Sequence, residues 1–316
     1  MFKKLKTIGL SLILAAGVFG CSKTNTSIEK DSLKICLVLD EGGVNDRSFN
    51  ESAWNGALAS KEKYGVEVSY IESKSESEYL SNLESAVDLE NDLIIGVGYK
   101  FTEAIGELAK AYPNQKFAII DGSYESIPNN VTSVLFDEQG AGYSVGLVAS
   151  QMTKGKVGFI GGFSIPSVDG FKIGFEEALK EENKDIKLLT QYANSFTDSA
   201  QGRAIAQQMI SQGVDIIFSA GGTVNNGVWE ACNEAGIYSI GVDMPSSQYS
   251  PNIITSALKS VNIGLEHTIK DLVDGKFKGG VSTVYGLSTG GVGYEVTDHL
   301  SVDLIEYVDS KLESKK

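Results

Sequence analysis

The stretch Leu33-Lys-Ile-Cys-Leu-Val-Leu39-Asp40-Glu-Gly-Gly-Val-Asn-Asp46-Arg-Ser-Phe49-Asn50-Glu-Ser-Ala-Trp54-Asn-Gly56 changes its periodicity partway along. Leu33–Leu39 is a short apolar run ending in a turn, the pattern of a buried strand, whereas the apolar residues of Ser48–Tyr64 recur at helical spacing. Between the two, Gly42 and Gly43 let the backbone turn sharply, and Asn45 or Asp46 is placed to cap the coming helix. A strand, a glycine turn and a helix in that order open a β-α-β unit, which calls for a parallel sheet covered on both faces.

The alternation continues along the chain. Val66–Ile71, Leu93–Val97, Phe117–Ile120 and Val131–Phe136 read as strands, with helical patterns at Glu78–Asp88 and Thr102–Ala111. It then begins again with strands at Lys156–Ile160, Ile186–Tyr192, Ile216–Ala220 and Tyr238–Val242, separated by helices near Gly170–Glu182, Ala200–Gln212 and Val228–Ala235. Matching strands in the two halves lie about 120 residues apart, a period too long for a solenoid and suited to a duplicated lobe. Ile253–Leu258, Asn262–Asp274, Val281–Gly286 and Asp298–Leu312 complete the pattern as a return to the first lobe and a second crossing. The expected class is therefore α/β, two doubly wound parallel-sheet lobes joined by three hinge crossovers near Phe136–Glu138, Met244–Pro251 and Lys278–Ser282. That assigns 33–136 plus 251–280 to an N-terminal lobe and 137–250 plus 281–316 to a C-terminal lobe.

Composition narrows the function. The 316 residues carry 27 Lys and Arg against 41 Asp and Glu, a formal charge of −14. Nucleic acid is a poor partner for such a surface, because phosphate binding needs a basic face. Lys3, Lys4 and Lys6, the apolar run Ile8–Val18 and Gly20 have the layout of a signal peptide over 1–20. Cys21 follows at once, as in the lipobox of bacterial lipoproteins, where that thiol is acylated. Residues 21–32 then read as a lipidated cysteine and a flexible polar stalk. No later apolar run is long enough to span a bilayer. Cys36 and Cys232 read as buried thiols, and His267 and His299 lack the spacing of a metal pair, so no metal or cofactor is expected.

In open parallel sheets, ligands bind beyond the carboxyl ends of the strands, so two facing lobes enclose a cleft there. Phe49 falls in such a loop, as does Phe196 in Tyr192-Ala-Asn-Ser-Phe196-Thr-Asp198. Two opposed phenyl rings make a slot for a flat ring, although each could instead fold back on its own helix. Asp121 and Asp243 end matching strands, where a carboxylate suits a pair of vicinal hydroxyls or the N–H edge of a heterocycle, or else caps the following turn. Lys259 could bridge such a hydroxyl and a carboxylate, and Gly221-Gly-Thr223 could bring backbone N–H groups to a ligand. Gly142-Tyr-Ser144-Val-Gly146 fits the nucleophile-elbow pattern, but it lies inside the apolar-periodic run Ala141–Met152 rather than at a strand-to-helix turn.

Asp40-x-Gly-Gly-x-x-Asp46-x-Ser-Phe49-Asn50 with Trp54 and Gly56, supported by Ala118-Ile-Ile-Asp121, Ser195-Phe-x-Asp198 and Gly241-Val-Asp243, resembles the basic membrane protein (BMP) family of bacterial lipoproteins. These are the purine nucleoside receptor type of substrate-binding protein for ABC transporters. The resemblance runs from Leu33 to about Gly293 and implies the type I periplasmic-binding-protein fold. It implies that Phe49 and Phe196 sandwich a purine, that Asp46, Asn50 and Asp121 line the base or the lip, and that Asp243 with Lys259 holds ribose hydroxyls. Thr223 matches only through the general shape of its loop. The expectation is a monomeric, non-enzymatic receptor at the extracytoplasmic face of the cell membrane, held by its lipid alone. Its partners are guanosine, inosine or adenosine and a permease. A receptor for a sugar or another small polar ligand is the second reading, and a serine hydrolase using Ser144 a distant third.

Overall fold

The computed structural model describes residues 32–183 and 185–315; the signal segment, Cys21 and the stalk lie outside them, apart from Ser32. The first lobe runs β1 (Lys34–Leu39), α1 (Phe49–Tyr64), β2 (Glu67–Glu72), α2 (Tyr79–Asp88), β3 (Leu93–Val97), α3 (Thr102–Ala111), β4 (Lys116–Ile120) and β5 (Val131–Phe136). The second runs α4 (Glu138–Met152), β6 (Lys156–Gly161), α5 (Pro166–Glu182), β7 (Lys187–Tyr192), α6 (Ser199–Ser211), β8 (Ile216–Ala220), α7 (Val224–Ala235), β9 (Tyr238–Asp243) and β10 (Ile253–Lys259). Then come α8 (Val261–Val273), β11 (Val281–Tyr285), β12 (Val292–Tyr294) and α9 (Val302–Glu313).

Two six-stranded sheets result, in the orders β11-β5-β4-β3-β1-β2 and β12-β10-β9-β8-β6-β7. The central strands are buried along their length on both faces, which is why they read as unbroken apolar runs rather than as alternating ones. All pairings are parallel except that of β12 with β10.

Two of the three expected crossings fall elsewhere. β10 pairs with β9 and so belongs to the second sheet, while β11 pairs with β5 and closes the first. The chain therefore crosses at Phe136–Glu138 as expected, then at Lys259–Val261 rather than at Met244–Pro251, and at Tyr285–Val292 rather than at Lys278–Ser282. The cause is register: β10 is buried, and its backbone donors and acceptors are met by β9 and β12, a pairing that apolar pattern alone does not reveal. The crossings are tied side by side, Asp137 N–H donating to Tyr285 O at 3.0 Å and Ser260 N–H to Gly291 O at 2.8 Å.

The pentapeptide around Ser144 lies inside α4, not at a turn. Ser144 is fully buried, and its hydroxyl donates to the Ala141 carbonyl at 2.6 Å. The glycines beside it serve packing: a Cβ on Gly142 would stand 2.0 Å from the Phe171 carbonyl oxygen of α5. Helix α4 approaches α5 too closely for any side chain there, which explains the motif without an exposed nucleophile.

Candidate functional site

The β1–α1 loop is built around two carboxylates. Asp40 Oδ1 accepts from Gly42 N–H at 3.0 Å and from the Asn50 amide at 2.7 Å. Asp46 accepts from the backbone N–H groups of Ser48, Asn50 and Glu51 at 2.9, 3.0 and 3.1 Å, so it serves the orphan donors at the start of α1 from two residues upstream of the cap. That network fixes Phe49 as the first residue of α1 and presents Asn50 beside it.

Phe49 and Phe196 both line a cavity of about 660 Å³, its open mouth included. Phe49 comes from the first lobe and Phe196 from the β7–α6 loop of the second, and each is half-buried rather than folded into its lobe. Phe196 packs against Phe163 edge to face at 5.1 Å. Asp46, Asn50, Asp121, Asp243 and Lys259 line the same cavity. Thr223 does not: it precedes α7, its N–H donates to the Phe196 carbonyl at 2.9 Å, and Gly221 and Gly222 take the lining positions expected of it.

The buried charges are unequal. Lys259, 1% exposed, donates to Asp121 of the first lobe and, at 2.8 Å, to Glu138 of its own lobe. The rings of Phe49, Phe136 and Phe171 stand 5.1, 5.3 and 5.9 Å from its nitrogen. Burial opposes this charge, but Asp121, Glu138 and Asp243 outweigh that penalty and hold the ammonium above its usual pKa. Burial pushes Asp46 up to about 7 against the pull of its three N–H donors, with Asp243 adding to the rise. It pushes Asp243 to about 6 despite Lys259 and the Ser48 hydroxyl. Glu138 rises to about 7, chiefly by burial.

Among the buried polar atoms of the described residues that have no protein partner are Asn50 Oδ1 and Asp121 Oδ1. Both residues line the cavity, so a ligand bearing two N–H or O–H donors between flat apolar faces matches what is left over. Asp121 and Asp243 both have left-handed backbones, with φ of +61° and +66°, a conformation that costs non-glycine residues free energy and that clusters at functional sites.

The lobes touch around the cavity. Ser48 donates its hydroxyl to Asp243, Arg47 reaches Asn226 Oδ1 at 3.4 Å and lies 5.0 Å over the Tyr249 ring, and Lys100 stands 5.4 Å over Phe163. Lining residues without a distinctive sequence signal include Lys100, Ile165 before α5, and Val168 and Phe171 within it, whose apolar spacing is that of an ordinary core helix. Glu138 likewise reads in sequence only as a first-turn acid favoured by the helix dipole.

Residues 34–316 match the family described as ABC transporter substrate-binding protein PnrA-like. The chain is 36% identical to the CD4+ T-cell-stimulating antigen of Listeria monocytogenes, covering 98% of this chain and 95% of that one. It is 39% identical to basic membrane protein A of Borreliella burgdorferi, over 92% and 87% of the respective chains. Its fold resembles the solute-binding protein of an ABC transporter system from Aeropyrum pernix K1, with a TM-score of 0.79 and 31% identity over 89% of this chain and 86% of that one. The two sheets joined by three crossings are thus the periplasmic-binding-protein fold.

Proposed function

The chain belongs to the PnrA-like family of ABC transporter substrate-binding proteins, and from that premise we propose that it captures purine nucleosides between its lobes and delivers them to a permease. In this reading a lipid on Cys21 holds it at the extracytoplasmic face of the cell membrane, and among the described residues no helix is long and apolar enough to cross a bilayer. One observation carries the ligand assignment: half-buried Phe49 and Phe196 line one cavity from opposite lobes, beside the unpartnered acceptors of Asn50 and Asp121. A purine offers a flat face to each ring and N–H groups at its edge, and a ribose offers vicinal hydroxyls to Asp243 and Lys259. Asp46 acts in this reading chiefly by holding the loop, because its oxygens already accept three N–H groups.

The chemistry required is binding alone. The ligand meets one lobe, the lobes rotate on the three crossings, and the base is buried as its donors exchange water for carboxylate and amide oxygens. Calorimetric titration with guanosine, inosine, adenosine, the free bases, glucose and galactose tests the assignment. Binding of at least one nucleoside, tighter than its base and tighter than either hexose, is expected. Binding of a hexose with no nucleoside signal would transfer the site to sugars.

A further inference from the structure

Lys259 ends β10, on the second lobe just before the chain crosses to the first, and Glu138 opens α4 just after the chain has crossed the other way. Both belong to the second lobe, whereas Asp121 directly follows β4 of the first. The ammonium therefore has one partner that stays with it when the lobes part and one that leaves. The side chains of Lys259, Asp121 and Glu138 are 2%, 7% and 13% exposed, so little water screens the three charges from one another. Glu138 and Asp121 repel each other across the shared cation, which adds to the rise of the glutamate's pKa.

We infer that Glu138 is a release element: it competes with Asp121 for Lys259, so that the ion pair joining the lobes does not become a lock. With Lys259 already paired inside its own lobe, closing adds one attraction, Lys259 to Asp121, and sets Asp121 against the second-lobe carboxylates, Glu138 on the shared ammonium and Asp243 beside it. The repulsion exists only in the closed form, so it lowers the barrier to opening. Glu138 also leaves Lys259 a hydrogen-bonded carboxylate in its own lobe as Asp121 withdraws, where breaking the pair with none would be costly. Asp121 keeps Oδ1 for the ligand while Oδ2 holds the lysine.

This inference rests on the binding reading above but is tested apart from it. Glu138→Gln keeps an oxygen for Lys259 and removes the repulsion; Glu138→Asp keeps the charge. Guanosine dissociation at about pH 8.5, where Glu138 is ionised, followed by stopped-flow fluorescence, is expected to slow at least about fivefold in Glu138→Gln, the low end of ordinary coupling between sites, and to stay within about twofold of wild type in Glu138→Asp. A glutamate needed only for packing would instead speed release in both variants. X-ray scattering of the ligand-free proteins supplies a readout that needs no nucleoside: a smaller radius of gyration is expected for Glu138→Gln than for wild type, and a larger one for Asp121→Asn. Release from Glu138→Gln as fast as from wild type, or scattering in which these proteins do not differ in that order, overturns the proposal. Should guanosine not bind the wild type, the nucleoside assignment alone fails, and scattering still decides the role of Glu138. If Glu138→Gln does not fold, Glu138→Ala takes its place in both measurements, with the same expected order and the same overturning results.

Discussion

Both lobes order their strands alike, β2-β1-β3-β4-β5 and β7-β6-β8-β9-β10, yet they bring different chemistry to the cavity. The first lobe contributes Asp40, Asp46, Asn50 and Asp121; the second contributes Ile165, Val168, Phe171, Val242 and the backbone of Gly221 and Gly222, with Asp243 and Lys259 at its lip. The two rings do not come from equivalent places either. Phe49 lies at the β1–α1 junction, whose counterpart in the second lobe is the β6–α5 loop, whereas Phe196 comes from the β7–α6 loop. What remains symmetric is the pair of left-handed aspartates at the carboxyl ends of β4 and β9. The two lobes thus share a topology and strand-end carboxylates, while the linings they give the cavity differ: the first lobe brings most of the carboxyl and amide groups, and the second most of the apolar surface.

The largest effect should come from the ring on the polar lobe. Phe49→Ala is expected to weaken guanosine binding about tenfold to a hundredfold, from the ~1–3 kcal/mol of a stacked base, with Phe196→Ala in the same range. Calorimetry showing either ring dispensable would leave the clamp one-sided and break the comparison. Asp243→Ala comes next: it should lose about tenfold of the preference for a riboside over its 2′,3′-dideoxy analogue, since the hydroxyl acceptor is gone. A preference retained in full would move the ribose away from the second lobe's lip.

A smaller effect concerns protons. Asp46, Asp243 and Glu138 all have pKa values raised well above the usual carboxylate range, to about 7, about 6 and about 7. A raised carboxyl favours the folded state most when protonated, so this contribution to stability is complete below about pH 4 and is lost as pH rises through about pH 7. Asp46→Asn removes one such group. Across that window its melting temperature should therefore fall less steeply than that of the wild type, and parallel slopes in calorimetric melting would deny that burial raises the Asp46 carboxyl. The smallest effect belongs to the rim. Arg47→Ala removes a cation–ring contact of about 0.5–1 kcal/mol and should raise guanosine dissociation about twofold to fivefold, with association unchanged. Slower association instead would make Arg47 a steering charge rather than an interlobe contact.

The alternation of elements was legible because strands buried on both faces leave unbroken apolar runs, and helices such as α3 leave a periodic stripe. Strand partnership was not. Ile253–Leu258 reads as a strand with equal clarity whichever sheet takes it, and its place beside β9 is settled by backbone hydrogen bonds that carry no side-chain signature. Phe49 is readable at the cavity because an aromatic follows a glycine turn at a strand's carboxyl end, whereas Asn50 follows only from the resemblance to the family. Phe171 is not readable, since a helix aromatic facing a cleft has the same spacing as one facing the core. Thr223 is the converse case: its loop reaches the cavity, but the glycines, free of side chains, line it, and the threonine sits behind them at the cap of α7.

A crystal structure of the protein grown with guanosine tests the clamp most directly. The base should lie between the rings of Phe49 and Phe196, with an N–H edge at Asn50 or Asp121 and the ribose toward Asp243 and Lys259. Density for the base outside those two rings, or a cavity that stays closed to the nucleoside at saturating concentration, would contradict the account.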